Sequence, residues 1–133
     1  MSIQNIKRNN KTICIVDDEP TIVEMYSFKL KLAGYKVISA SDGEEGYQVI
    51  SRGKPDLAII DLIMPNMDGL SLVRKLKSDK ELKDIPIIIL TNLDSPEEKR
   101  EASELGVLFF LVKPHFLPSK ILEIIDEVLF GGK

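Results

Sequence analysis

The strongest constraint on the fold is a short, unbroken apolar stretch at residues 57–60, which ends in Asp61. A run of branched apolar residues this short, bounded by turn-forming residues, is typical of a strand buried on both faces. Strands of this kind belong to parallel sheets that are covered by helices. Open parallel sheets bind ligands at the carboxyl ends of their strands. Asp61 is therefore the first candidate functional residue.

The same pattern of a buried strand followed by a helix recurs five times. Strands are predicted at 12–16, 35–40, 55–61, 85–90 and 107–112. Each is followed by a segment with helical signals in the spacing of its apolar residues or in its capping residues. Parallel strands need helical crossovers, which are right-handed. The pattern therefore predicts a single α/β domain, a doubly wound (βα)5 arrangement with a five-stranded parallel sheet and helices on both faces.

Capping signals mark where the helices begin. Ser41 and Ser95 are each followed three residues later by Glu, which is the capping-box form. Pro20 and Pro96 suit the first turn of a helix, and another helix is predicted from Pro118. The helix after Ser95 has few apolar residues, so we expect it to be the least firmly packed of the set.

Length and composition favour one soluble domain. The 133 residues suit a single domain, and we expect a flexible lead-in at 1–11, the folded domain at 12–130 and a frayed end at 131–133. A net charge of -3 gives no broad surface for nucleic acid. No apolar run approaches the roughly 20 residues of a membrane span. One cysteine fits a reducing compartment, so a cytoplasmic protein without direct nucleic-acid or membrane contact is expected.

Chemically active side chains follow four of the five predicted strands. They are Asp17 with Asp18, then Asp61, Thr91 and Lys113. Clustered carboxylates resist ionisation unless a cation is near, and magnesium commonly pairs one or two carboxylates with phosphate oxygens. A carboxylate can act as a nucleophile towards phosphorus, while hydroxyl and ammonium groups stabilise the transferred group. The pattern therefore indicates metal-assisted phosphoryl transfer.

With these motifs, the chain resembles the receiver domains of response regulators in two-component signalling, including chemotaxis regulators. The resemblance covers about 11–129 and is carried by the motifs at 15–20, 61–69, 90–91 and 112–114. It implies a flavodoxin-like sheet with strand order 2-1-3-4-5.

The resemblance also implies a role for each site residue. Asp61 would be the phosphoacceptor, and Mg²⁺ or Mn²⁺ would bind Asp18, Asp61 and the backbone carbonyl of Ile63, with Asp17 reaching the metal through water. Two further residues would contact the phosphoryl group, Thr91 and Lys113. Thr91 and Phe110 would form the conformational switch.

Activity and partners are implied in the same way. The phosphoryl group would come from a phosphohistidine of a sensor histidine kinase or a phosphotransfer protein. The domain would not be an enzyme beyond catalysing its own phosphorylation and slow dephosphorylation. Phosphorylation would change the surface of the fourth helix, fifth strand and fifth helix of the (βα)5 unit. The output would go to a protein target or to an effector domain absent from this chain, and a phosphorylation-linked homodimer is a further hypothesis.

Three residues depart from the usual pattern of the family. Asn92 stands where a small residue is usual and would either narrow access to the phosphoryl site and slow donors or form a hydrogen bond there. Ile63 and Leu93 are apolar where polar residues often flank the site, so we expect slow self-dephosphorylation. His115 is interpreted as a loop residue rather than a second phosphorylation site.

Three other classes of protein fit the sequence less well. A haloacid-dehalogenase-type phosphatase needs a second acid two residues after its nucleophile, where this chain has Ile63. A flavodoxin-like flavin binder must hold a phosphate in its first loop, and the acidic residues 17–19 would repel it. A receiver-like interaction module that is not phosphorylated usually lacks some of the acidic or lysine residues, which are all present here.

Overall fold

Five parallel strands form the centre of the computed structural model, which describes residues 3–113 and 118–131. The strands are β1 (Thr12–Val16), β2 (Lys36–Ala40), β3 (Leu57–Ile60), β4 (Ile87–Thr91) and β5 (Phe109–Val112). They are arranged in the order β2-β1-β3-β4-β5, and every neighbouring pair is parallel. The predicted α/β class, the parallel sheet and the strand order are confirmed.

Helices connect the strands. Those in the described residues are α1 (Ile3–Arg8), α2 (Pro20–Leu32), α3 (Gly43–Gly53), α4 (Gly69–Lys77), α5 (Pro96–Glu104) and α6 (Pro118–Phe130). None of them is both long and apolar enough to cross a membrane. The predictions on Pro114 and His115, and on residues 132–133 of the expected frayed end, lie outside the described residues.

The two faces of the sheet bury separate apolar clusters. On one face, α3, α4 and α5 pack against alternate residues of the inner strands, such as Val16, Ile60 and Ile89. On the other face, α2 and α6 pack against the intervening residues, such as Ile15 and Ile59. Since strand side chains alternate between faces, strands apolar at every position are what a sheet covered on both sides requires.

The segment before β1 differs from the expected flexible lead-in, because residues 3–8 form α1. The Arg8 guanidinium explains its position: Nε and Nη2 donate to the carboxylate of Asp126 on α6, and Nη1 donates to the carbonyl of Ala33 after α2. Polar sequence at the start of a chain gives no local sign of such a distant anchor.

The start of α3 differs from the sequence prediction by one residue. The N-cap of α3 is Asp42 rather than Ser41, and its carboxylate accepts from the backbone N–H of Glu45. The Glu45 carboxylate in turn accepts from the backbone N–H and hydroxyl of Ser41. Asp caps a helix as well as Ser does, so both registers were compatible with the sequence. At the other end, α3 includes Gly53, and Lys54 takes the left-handed conformation with φ 42°.

The structure confirms the predictions for α5. Ser95 is its N-cap and Pro96 its first residue, and the Ser95 hydroxyl and the Glu98 carboxylate complete the capping box. Within α5 only Ala102 is buried, whereas the equally long α4 buries five residues. Among the five helices that cover the sheet, α5 therefore buries the fewest residues.

Candidate functional site

The carboxyl ends of β1 and β3 bring three carboxylates together. Asp17 and Asp61 directly follow these adjacent strands, and the backbone N–H of Asp61 donates to the carbonyl of Val16 over 2.9 Å. One carboxylate oxygen from each of Asp17, Asp18 and Asp61 lies within 4.8 Å of the others. Asp17 and Asp61 are buried, while Asp18 is exposed. The acidic residues predicted from the sequence therefore form one cluster.

Lys113, which follows β5, reaches across the sheet edge into this cluster. Its Nζ lies 2.9 Å from Asp17 Oδ2, 3.3 Å from Glu19 Oε1 and 3.5 Å from Asp61 Oδ2. The Lys113 side chain is only 8% exposed. A buried ammonium among carboxylates is a strong local source of positive charge.

Burial and charge act in opposite directions on this ion pair. Burial alone lowers the pKa of Lys113, but the hydrogen bond to Asp17 and the charges of Asp61 and Asp17 outweigh it, so the pKa of Lys113 is raised. Burial also raises the pKa of Asp17, and the hydrogen bond from Lys113 only partly offsets this. Lys113 is therefore charged at neutral pH, and one ammonium does not fully compensate the carboxylates around it.

The two carboxylate oxygens of Asp61 have different surroundings. Oδ2 faces Lys113, whereas Oδ1 is buried and has no hydrogen-bond partner. Buried polar atoms are nearly always satisfied, so an unpartnered oxygen beside two other carboxylates fits a site that receives a ligand. The donor set consists of hard carboxylate oxygens, which Mg²⁺ prefers. The residues present therefore fit a divalent cation.

A cleft of about 250 Å³ opens onto Asp61. It is lined by Asp18, Glu19, Asp61, Ile63, Thr91 and Asn92. Of the predicted site residues, Asp18, Asp61, Ile63 and Thr91 thus share one concave surface with Asn92, and Asp17 and Lys113 are not among its lining residues. The Thr91 side chain is fully buried, and its Oγ1 accepts from the backbone N–H of Leu93 over 3.3 Å.

Phe110 lies on β5 behind this cleft. Its partner in the register is Ile89 on β4, two residues before Thr91, so the three side chains face the same side of the sheet. Phe110 is half-buried and packs against the cluster beneath α3, α4 and α5. The Lys99 ammonium of α5 lies 5.7 Å from the centre of its ring. The two predicted switch residues are therefore near neighbours on adjacent strands.

Sequence reasoning assigned no separate role to two residues that shape the site. Glu19 is the N-cap of α2 but makes no side-chain capping bond, because its carboxylate pairs with Lys113 instead. At Gly69, a Cβ atom would lie 2.1 Å from the Asp61 carbonyl oxygen, so α4 starts directly against the backbone of Asp61. Gly69 belongs to the motif at 61–69, but the contact between Glu19 and Lys113 had no local signal in the sequence.

Comparison with known proteins agrees with this geometry. Residues 13–126 match the sequence model described as the response regulator receiver domain. The chain is 39% identical over 119 residues to the phosphate regulon transcriptional regulatory protein PhoB of Pseudomonas aeruginosa, covering 90% of this chain and 52% of that protein. It is 37% identical over 120 residues to the alkaline phosphatase synthesis transcriptional regulatory protein PhoP of Bacillus subtilis, covering 90% of this chain and 49% of that protein. The chain thus spans about half the length of these two relatives.

Solved structures show the same fold. The chemotaxis protein CheY4 of Vibrio cholerae superposes with a TM-score of 0.83 at 36% identity, covering 90% of this chain and 98% of that chain. The BeF3-activated receiver domain of RstA from Klebsiella pneumoniae gives a TM-score of 0.79 at 29% identity, covering 86% and 95%. The chain belongs to the response regulator receiver domains of two-component systems, which act as signalling switches controlled by phosphorylation.

Proposed function

We propose that Asp61 accepts a phosphoryl group from a phosphohistidine of a sensor histidine kinase or phosphotransfer protein, in a reaction that requires Mg²⁺ or Mn²⁺. The observation that carries this proposal is the buried, unpartnered Oδ1 of Asp61, in a carboxylate that is clustered with those of Asp17 and Asp18 and whose other oxygen faces the buried ammonium of Lys113. The phosphoryl group would be transferred in the cytoplasm, where an ATP-dependent sensor kinase is phosphorylated.

The Asp61 carboxylate would be the nucleophile. One of its oxygens would attack phosphorus, and the bond from phosphorus to the imidazole nitrogen would break with its electron pair left on that nitrogen. Lys113, which neutralises Oδ2 in the resting state, would then stabilise charge on the oxygens of the transferred group. When bound by Asp18, Asp61 and the carbonyl of Ile63, with Asp17 acting through water, a divalent cation supplies positive charge that draws in and neutralises the phosphoryl group.

The switch would follow from a competition for the Thr91 hydroxyl. In the resting state this hydroxyl accepts from the backbone N–H of Leu93. A phosphoryl dianion on Asp61 would draw the hydroxyl towards itself and vacate space behind β4, which the Phe110 ring could fill without burying a polar group. The surface formed by α5, β5 and α6 would change as a result. Moving such an equilibrium from 1:99 to 99:1 takes about 5.5 kcal/mol.

The domain itself would be a switch and not an enzyme with a diffusible substrate. Because two of its relatives are named transcriptional regulators and are about twice as long as the matched region, we propose that output passes to an effector region or a separate protein target, with no direct contact between this domain and nucleic acid. A phosphorylation-linked homodimer is a secondary proposal, which unchanged sedimentation on addition of beryllofluoride would contradict.

An intact-mass measurement tests the central proposal. The protein is incubated with acetyl phosphate and Mg²⁺, and separately with a phosphohistidine donor in case Asn92 excludes the smaller one. One added phosphoryl group is expected in the wild type and in Asp68→Asn, since Asp68 is an exposed carboxylate in the same loop. The adduct should be lost in Asp61→Asn and in EDTA. An adduct that persists in Asp61→Asn, or none from either donor, would contradict the proposal.

A further inference from the structure

The side chain of Glu19 has an unusual orientation for its position. Glu19 is the N-cap of α2, yet its carboxylate accepts no hydrogen bond from the first turn of that helix. The Glu19 carboxylate lies 3.3 Å from Lys113 Nζ, and its backbone N–H donates to Asp17 Oδ1 over 3.0 Å. The carboxylate and the backbone N–H of Glu19 are thus directed to the site, while its carbonyl accepts from the backbone N–H groups of Ile22 and Val23 in the first turn of α2.

This arrangement places a fourth carboxylate at the mouth of the cleft. Glu19 lines the cleft together with Asp18 and Asp61, and its side chain is 51% exposed. Three of these four carboxylates, those of Asp17, Glu19 and Asp61, lie 2.9–3.5 Å from the single ammonium of Lys113. A donor entering the cleft brings further negative charge, so the electrostatic potential at the mouth affects how readily it enters.

Glu19 also acts on the group that must receive the phosphoryl oxygens. Lys113 lies closer to Asp17 and Glu19 than to Asp61. The ammonium has three protons to donate, and two of its closest acceptors lie on the β1 side of the site. To direct more than its third proton to a phosphoryl group on Asp61, Lys113 has to give up part of this pairing.

We propose that Glu19 is a positioning and specificity-determining residue, whose carboxylate holds Lys113 towards β1 and disfavours strongly anionic small phosphodonors. The inference rests on the proposed function, because it concerns entry to the phosphoryl site at Asp61. A donor presented by a protein surface can offset the charge of Glu19 with its own cations, whereas a small anion in solution cannot.

The test compares two small donors of different charge. Acetyl phosphate is largely a dianion at neutral pH, and phosphoramidate is largely a monoanion. With Mg²⁺ saturating for each variant, Glu19→Gln should raise the phosphorylation rate about fivefold with acetyl phosphate and about twofold with phosphoramidate. The difference between donors should shrink at high ionic strength, since screening weakens it.

Glu24→Gln is the matched control. Glu24 is an exposed carboxylate on the same helix and lines the neighbouring cleft beside Asp17 and Asp18. It should leave the ratio of the two rates at the wild-type value. An unchanged ratio in Glu19→Gln, a slower reaction with both donors, or an equal effect in Glu24→Gln would each overturn the inference.

A second readout is independent of phosphorylation. In ¹⁵N-labelled protein, the ammonium protons of Lys113 should exchange with water faster in Glu19→Gln than in the wild type or Glu24→Gln. Unchanged exchange would overturn the role of Glu19 even where Asp61 is phosphorylated. Absence of any adduct in the wild type would instead count against the proposed function itself.

Discussion

Arg8 and Asp126 form a two-pronged ion pair that joins the first and last helices of the described structure. Arg8 Nη2 lies 2.5 Å from Asp126 Oδ2, and Nε lies 3.1 Å from Oδ1. The Tyr35 hydroxyl donates to the same carboxylate over 2.5 Å, and both charged side chains are mostly shielded from solvent. Planar pairing of this kind is among the stronger polar interactions in proteins.

We predict that this pair contributes to stability. Arg8→Ala should lower the free energy of unfolding by about 2 kcal/mol, because it leaves a partly buried carboxylate with one neutral donor. Urea unfolding followed by circular dichroism measures the change. Lys7→Ala, an exposed cation on the same helix, should change stability by less than about 0.5 kcal/mol. If Arg8→Ala cost no more than Lys7→Ala, or cost as much in an Asp126→Asn background, the pair would not be stabilising.

The Cys14 thiol gives a prediction on pH dependence. Burial raises the pKa of Cys14 to about 12, whereas an unfolded thiol titrates near 8.5. Below about pH 8.5 the thiol is protonated in both states; between about 8.5 and 12 only the unfolded state loses the proton. The folded state should therefore lose up to about 1.4 kcal/mol of stability per pH unit in that window.

A cysteine-free variant isolates this effect. The difference in unfolding free energy between the wild type and Cys14→Ala should be constant below about pH 8 and should then shift against the wild type as pH rises. The folded thiol should also react with a disulfide reagent only as fast as the protein opens. A difference that stays constant up to pH 10, or rapid labelling of the folded protein, would refute the prediction.

The elements of the fold were predictable because their signals are local. A strand such as Leu57–Ile60 is apolar at every position. Helices such as α4 and α5 begin at residues whose side chains cap them. The carboxylate cluster followed from parallel topology alone, since residues after β1 and β3 must share one edge. The N-cap of α3 was less certain, because Ser41 and Asp42 are both good capping residues and the local sequence does not distinguish them.

What could not be predicted depends on contacts between distant residues. Arg8 is 118 positions from Asp126, and Glu19 is 94 positions from Lys113. A polar segment at the start of a chain has the same composition whether it is anchored or not. Likewise, an N-cap glutamate has the same local sequence whether its carboxylate caps the helix or pairs with a lysine from another strand.

The sparse packing of α5 gives a prediction on dynamics. Helices α4 and α5 both have nine residues, but α5 buries only Ala102. Its ion pair with α4, between Arg74 and Glu101, is half-exposed and contributes little. Backbone amides of α5 should therefore exchange with deuterium at least about tenfold faster than those of α4. Hydrogen exchange measured by mass spectrometry provides the comparison within one sample, and equal protection of the two helices would contradict it.

The lifetime of the phosphoryl group gives the last prediction. Ile63 lines the cleft beside Asp61 and is 60% exposed, so no polar group at this position orients a water molecule for attack on phosphorus. We expect the phosphorylated wild type to lose its phosphoryl group slowly. Ile63→Asn should speed the loss by about tenfold, since a positioned polar side chain assists proton transfer and orients water. The decay of the intact-mass adduct after removal of the donor measures the rate.

Leu108→Asn, which replaces a similarly exposed apolar residue at 52% exposure next to the edge strand β5, is the control and should leave the rate unchanged. Equal rates in the two variants, or a wild-type adduct as short-lived as that of a fast chemotaxis regulator, would show that Ile63 does not limit dephosphorylation.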